Sequence, residues 1–152
     1  MVASQTKVVA FGGGHGLAAT LTALRDVTPN ITAVVTVADN GGSSGKIRSE
    51  FNFLPPGDLR MALAALCGAD SWGQSWAETI QHRFTSDGEL NGHALGNLLL
   101  AALWDSSDDL VAGIDRVGEL LKIVGRVLPM SLEPLDIEGI FLTAAGRQVV
   151  RG

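Results

Sequence analysis

A chain of 152 residues with net charge −5 and one cysteine has the size of a single domain spanning 1–152 and excludes an internal disulfide framework. The acidic balance, with no basic stripe, argues against a nucleic-acid interface. No apolar run approaches the roughly 18 residues of a membrane span, and the opening MVASQTK lacks the apolar stretch of a secretory signal, so the expected location is the cytoplasm.

Hydrophobic residues supply 46% of the chain, a share that suits a parallel sheet buried on both faces. Lys7 to Phe11 reads as a buried strand. Leu17, Leu21 and Leu24 then recur at helical spacing, and Ile31 to Ala38 is β-branched and apolar, as in a central parallel strand. Residues 7–38 thus form a strand–turn–helix–strand unit. After the small-residue stretch Asp39 to Gly45 and the Pro55-Pro56-Gly57 turn, Asp58 is placed to cap a helix running to about Cys67. Cys67 sits in an apolar run and is expected to be a buried, inert thiol. Trp72, Trp76, Ile80 and Phe84 make one stripe of a further helix, with His82 solvated in its middle. Another helix is predicted from about His93 to Leu103. Ser106 to Asp109 carries a capping-box spacing before Leu110, Ile114, Val117 and Leu121. Val127 to Met130 and Ile137 to Thr143 read as strands, and Ala145-Gly146 as a turn into Gln148 to Val150. The sequence stops as that hairpin partner begins, so it reads as the N-terminal part of a longer protein.

Glycine is clustered, at 12–16 and 41–45 and singly at 57, 92 and 96, which marks backbone approached closely by something else. Gly14-His15-Gly16-Leu17-Ala18-Ala19 fits the dinucleotide fingerprint G-x-G-x-x-A between a strand and a helix. There glycine removes the Cβ that would block a phosphate, and the helix start supplies free N–H groups. The alternative is a tight turn that needs glycine only for packing. Asp39, at the end of the second strand, has the position of a ribose-binding acid. The following Asn40-Gly41-Gly42-Ser43-Ser44-Gly45, with Lys46 and Arg48, is a second anion loop by composition, or else a flexible linker. Asp58 and Arg60 follow a rigid turn toward the same end of the sheet. His93 and Asn97, four apart, share one face of a helix start. No G-x-S-x-G, Walker sequence, zinc spacing or nucleophile–base pair is evident, so these loops point to ligand binding rather than catalysis. The fingerprint alone also allows an NAD(P) oxidoreductase.

VVAFGGGHG, ITAVVTVADNGGSSGKIR, LPPGDLRMALAAL, QHRF, GHALGNLLLAAL and GRVLPMSLEPLDIEG, in this order, resemble the gluconeogenesis factor / 2-phospho-L-lactate transferase-like family, and the PPGDLR and GHALGNLLL stretches resemble its gluconeogenesis-factor branch. The resemblance covers about Lys7 to Gly139. It implies an α/β, Rossmann-like three-layer fold with a mostly parallel sheet, and a nucleotide site formed by Gly12, Gly13, Gly14, His15, Gly16 and by Asp39, Asn40, Gly41, Gly42, Ser43, Ser44, Gly45, with Asp58, Arg60, His93 and Asn97 at the remaining polar motif positions. The nearer branch implies a UDP-sugar ligand, notably UDP-N-acetylglucosamine, and a role in cell shape and wall synthesis on gluconeogenic carbon sources. The other branch implies transfer of 2-phospholactate from a nucleotide-activated donor to a deazaflavin, with Mg²⁺ held by Asp39 and Asp58. Two positions depart from many members: His15 stands in place of Thr, and Asn40 in place of a second Asp. Family members are also longer, so an open sheet edge here could pair with another copy in a homo-oligomer.

Overall fold

Three parallel strands set the frame of the computed structural model, which describes residues 5–107 and 109–151. Strand β1 (Val8–Gly12) leads through helix α1 (Gly14–Leu24) to β2 (Ile31–Val35). Helices α2 (Gly42–Phe51), α3 (Pro56–Ala65), α4 (Ser71–Gln81), α5 (Leu95–Asp105) and α6 (Leu110–Leu121) precede β3 (Arg126–Pro129). The strand order is β1-β2-β3, with Val8 opposite Ile31, Gly12 opposite Val35 and Val35 opposite Pro129. A separate antiparallel hairpin, β4 (Glu138–Thr143) and β5 (Gly146–Arg151), follows. The α/β architecture and the strand–turn–helix–strand unit read from the sequence are both present.

Because both crossovers step in the same direction, right-handed connections bring their helices to one face of the sheet. That face carries Ile31, Ala33, Val35 and Val127, all buried, against Leu17 and Leu21 of α1 and Leu59 and Leu63 of α3. On the other face Val9 and Phe11 are 56% and 73% exposed. The expectation of a sheet buried on both faces therefore holds for one face; the described residues supply the sheet and one helical layer. Helix α3 lies at the centre and touches α1, α2, α4, α5, α6, β2 and β3. Cys67 is fully buried, with Sγ 3.5 Å from the Leu63 carbonyl oxygen, and burial pushes its thiol pKa up.

Several local readings are corrected. The presumed second loop is a helix from Gly42 onward. Its glycines and serines are poor helix formers, but burial of Ile47 and Ser44 overrides that preference. Asp58 is not the cap of α3: Pro55 holds the cap position and Pro56 the first turn, where a missing N–H costs nothing. The α4 stripe stops at Gln81, capped at its start by Asp70, whose side chain accepts from Gly73 N at 2.8 Å. Phe84 lies beyond it, and His82 is at the helix end, exposed, rather than mid-helix. His93 precedes α5, whose cap position is Ala94. Asp109 alone makes the side-chain cap of α6, accepting from Ala112 N at 2.9 Å; Asp108 lies outside the described residues.

Candidate anion-binding cleft

The carboxyl ends of β1 and β2 are tied by Thr36 N donating to Gly12 O at 2.8 Å. Two glycine-led helices start beside them. Neither Gly13 before α1 nor Gly41 before α2 makes a side-chain cap, and neither helix has an acidic residue in its first turn. The first N–H groups of both helices therefore have no internal partner from a cap, which leaves partial positive charge at the strand ends. The Asp39 side chain accepts from Gly41 N at 2.9 Å and fixes the turn into α2. Ser44 Oγ, buried, accepts from Gly57 N at 3.0 Å and binds the start of α3 to α2.

A chain of polar side chains runs behind these turns. Arg60 Nε donates to Asn97 Oδ1 at 2.9 Å, and Arg60 Nη1 donates to Gln81 Oε1. Asn97 Nδ2 donates to Ser43 Oγ at 3.1 Å, and Ser43 Oγ lies 3.0 Å from His93 Nδ1. Arg60, His93 and Asn97 are 4%, 8% and 1% exposed. Arg60 has no ion-pair partner among the described residues. Burial first, then the neighbouring Arg83, lowers its pKa to about 10, against an opposing pull from Asp58.

In front of this network is a cleft of about 330 Å³, lined by Asp39, Gly41, Gly42, Ser43, Ser44, Gly57, Asp58, Arg60, Met61 and Arg83. A second lobe of about 670 Å³ shares Asp39 and Asp58 and adds Thr36, Ala38, Met130, Leu135, Asp136 and Ile137. One lobe sets Arg60 and Arg83 against Asp39 and Asp58, and the other combines an apolar wall with the carboxylates of Asp39, Asp58 and Asp136. They meet at two carboxylates, at the sheet end where open α/β folds take ligands.

Of the residues singled out from sequence, Asp39, Gly41, Gly42, Ser43, Ser44, Asp58 and Arg60 line the cleft, and His93 and Asn97 reach it through Ser43. Gly13 packs beneath Thr36 and Asp58. Gly12, Gly14, His15, Gly16, Asn40 and Gly45 do not line either lobe. Gly45 instead accommodates the Asn40 carbonyl, which an added Cβ would meet at 1.9 Å. Thr36, Gln81 and Arg83 were not singled out. Arg83 lies within the QHRF stretch, but nothing in its spacing shows that it faces Arg60.

The fold defines an α/β, Rossmann-like protein whose parallel sheet carries a cleft of paired arginines and carboxylates at its carboxyl edge. Residues 8–151 match the family described as 2-phospho-L-lactate transferase CofD. The chain is 56% identical over 135 residues to a Mycobacterium leprae protein named "Putative gluconeogenesis factor", which covers 89% of this chain and 38% of that protein. It is 45% identical over 132 residues to the gluconeogenesis factor of Listeria innocua, covering 87% and 40% respectively. A crystal structure of a Bacillus halodurans protein superposes with a TM-score of 0.86 at 40% identity, over 98% of this chain and 46% of that one. The chain belongs to the CofD family, and it spans 38 to 40% of the length of these two curated relatives.

Proposed function

We propose that this chain carries the nucleotide-binding part of a gluconeogenesis factor, a cytoplasmic regulatory protein that binds a UDP-sugar, UDP-N-acetylglucosamine in the first instance, without turning it over. On this reading it serves cell shape and wall synthesis during growth on gluconeogenic carbon sources. The observation that carries the ligand class is Arg60: a buried cation with no direct ion pair among the described residues, offset only at longer range by Asp58, on a cleft that also holds Arg83, Asp39 and the start of α2. Such a charge is costly until an anion meets it, and a diphosphate supplies that charge. The adjoining apolar lobe offers room for the rest of the nucleotide sugar.

A second reading is favoured by one observation: Asp39 and Asp58 both line both lobes. Mg²⁺ is held by one or two carboxylates together with waters and substrate phosphates. Among the described residues no group of three or more His, Cys, Asp or Glu forms a protein-only cage, so these two fit a cation shared with a diphosphate. In a transferase of the 2-phospho-L-lactate type, such a cation would neutralise the donor's phosphates while Arg60 and Arg83 orient them.

Calorimetric titration with UDP-N-acetylglucosamine, NAD and NADP, with and without Mg²⁺, separates the readings. Metal-independent binding of the UDP-sugar alone supports the regulator. Metal-dependent binding with consumption of a phospholactyl nucleotide replaces it with the transferase, and preference for NAD or NADP replaces it with an oxidoreductase.

A further inference from the structure

We propose that His93 is a positioning residue: it sets the direction of the Ser43 hydroxyl, so that the cleft holds an anion more tightly when His93 is protonated. The inference rests on the reading of the cleft as an anion site.

Arg60 Nε can only donate a hydrogen bond. It therefore fixes Asn97 with Oδ1 toward Arg60 and Nδ2 toward Ser43, as the 2.9 Å and 3.1 Å contacts have it. Ser43 Oγ thus already accepts one hydrogen bond and has one proton to place. His93 Nδ1 lies 3.0 Å away. When His93 is neutral with its hydrogen on Nε2, Nδ1 accepts the Ser43 proton, and the hydroxyl has no proton left for a ligand. When the ring is protonated, Nδ1–H donates to Ser43 Oγ. That oxygen then accepts from both Asn97 and His93, and its own proton turns to the remaining open side. Ser43 lines the cleft with Arg60 and Arg83, and with Asp39 and Asp58, so the freed O–H adds a donor that a bound anion can take up beside the two arginines. No covalent bond is made; one proton is taken up from solvent by the ring.

His93 also lines a separate hollow of about 520 Å³ with Lys46 and Glu50 of α2 and with Glu89 of the 82–94 segment. These are the charged groups that face it directly; Arg60 acts on it through Asn97, and Asp58 and Arg83 through the cleft.

The test is calorimetric titration of the full chain between about pH 5.5 and 8, with UDP-N-acetylglucosamine and with inorganic pyrophosphate, for the wild type, His93→Gln and Ser43→Ala. The diphosphate diester of the UDP-sugar keeps its charge over this range. Wild-type affinity for it should rise by roughly tenfold on acidification, and the rise should vanish in both variants. A flat wild-type profile, or a slope that survives His93→Gln, overturns the inference while leaving the nucleotide-sugar reading in place. A His93-dependent slope for pyrophosphate without UDP-sugar binding does the reverse, and binding of neither ligand retires both. Ring nitrogen resonances of the free protein give an independent check: neutral His93 should carry its hydrogen on Nε2, and an Nδ1–H form would overturn the proposal.

Discussion

The Thr36 hydroxyl donates to Asp58 Oδ2 over 2.9 Å, and the two side chains close over the backbone of Gly13. A Cβ on Gly13 would lie 2.1 Å from Thr36 Oγ1 and 2.3 Å from Asp58 Oδ2. The φ of Gly13 is −159°, extended backbone open to any residue, so the constraint is space. Gly13→Ala should lower stability by about 1–3 kcal/mol through overpacking and disturb the cleft as it separates β2 from α3. Gly14 is the opposite case: its φ is +58° and an added Cβ meets nothing. Gly14→Val is expected to cost about 1–2 kcal/mol in backbone strain and leave most of the fold; because Gly14 lines neither lobe, it should abolish nucleotide binding only if the ligand extends from the cleft to the start of α1. Thermal unfolding and titration of both variants separate crowding from conformation, and binding that survives Gly14→Val would make the first glycine turn purely structural.

One substitution divides the turn that Asp39 holds from the ribose contact proposed for it. Its Oδ1 accepts from Gly41 N at 2.9 Å, a bond that an asparagine side chain can also make. Asp39→Asn should therefore keep the turn and the melting temperature but weaken binding of ribose-containing ligands by about tenfold, the worth of one charge-assisted hydrogen bond. Unchanged affinity would leave Asp39 with the turn alone.

Arg60→Met removes a buried charge and keeps much of the volume. Loss of the charge relieves burial strain, while Asn97 Oδ1 loses its donor at about 1–3 kcal/mol. The two effects oppose, so the melting temperature should move little while anion affinity falls by about 10–100-fold. In the wild type, the Arg60 pKa is lowered to about 10. The charge is present below that value and lost above it, so affinity should decline as pH rises through 10, before an ordinary arginine would discharge. An affinity that is flat to higher pH and also unchanged in Arg60→Met would mean that Arg60 does not meet the ligand.

Asp70→Ala serves as the contrasting case. Its side chain caps α4 from a site remote from the cleft lining. The expected loss is about 1 kcal/mol of stability with unchanged affinity, measured by denaturant unfolding and titration.

The first strand–turn–helix–strand unit was legible because apolar periodicity alone determines it: Leu17 and Leu21 are buried where the spacing puts them. Helix α2 was not, since GSSGK carries no helical pattern and only contact with α3 and α5 makes it one. Asp58 was misread as a cap because Pro56 also fits a helix start, and a sequence does not say which of the two begins the turn. His93 and Asn97 do not share a helix face, since His93 precedes α5; they converge because Ser43, some fifty residues earlier, lies between them. Thr36, Gln81 and Arg83 acquire meaning only from neighbours distant along the chain.

The polar network behind the cleft draws Ser43 from α2, Arg60 from α3, Gln81 from α4 and Asn97 from α5. An occupant that engages Ser43 or Arg60 therefore braces four helices at once, and the scaffold becomes a gauge of its own filling. Ligand at 100 times its Kd adds about 2.7 kcal/mol of stability by mass action, so heating this protein against a panel of nucleotides would rank them before any function is assayed.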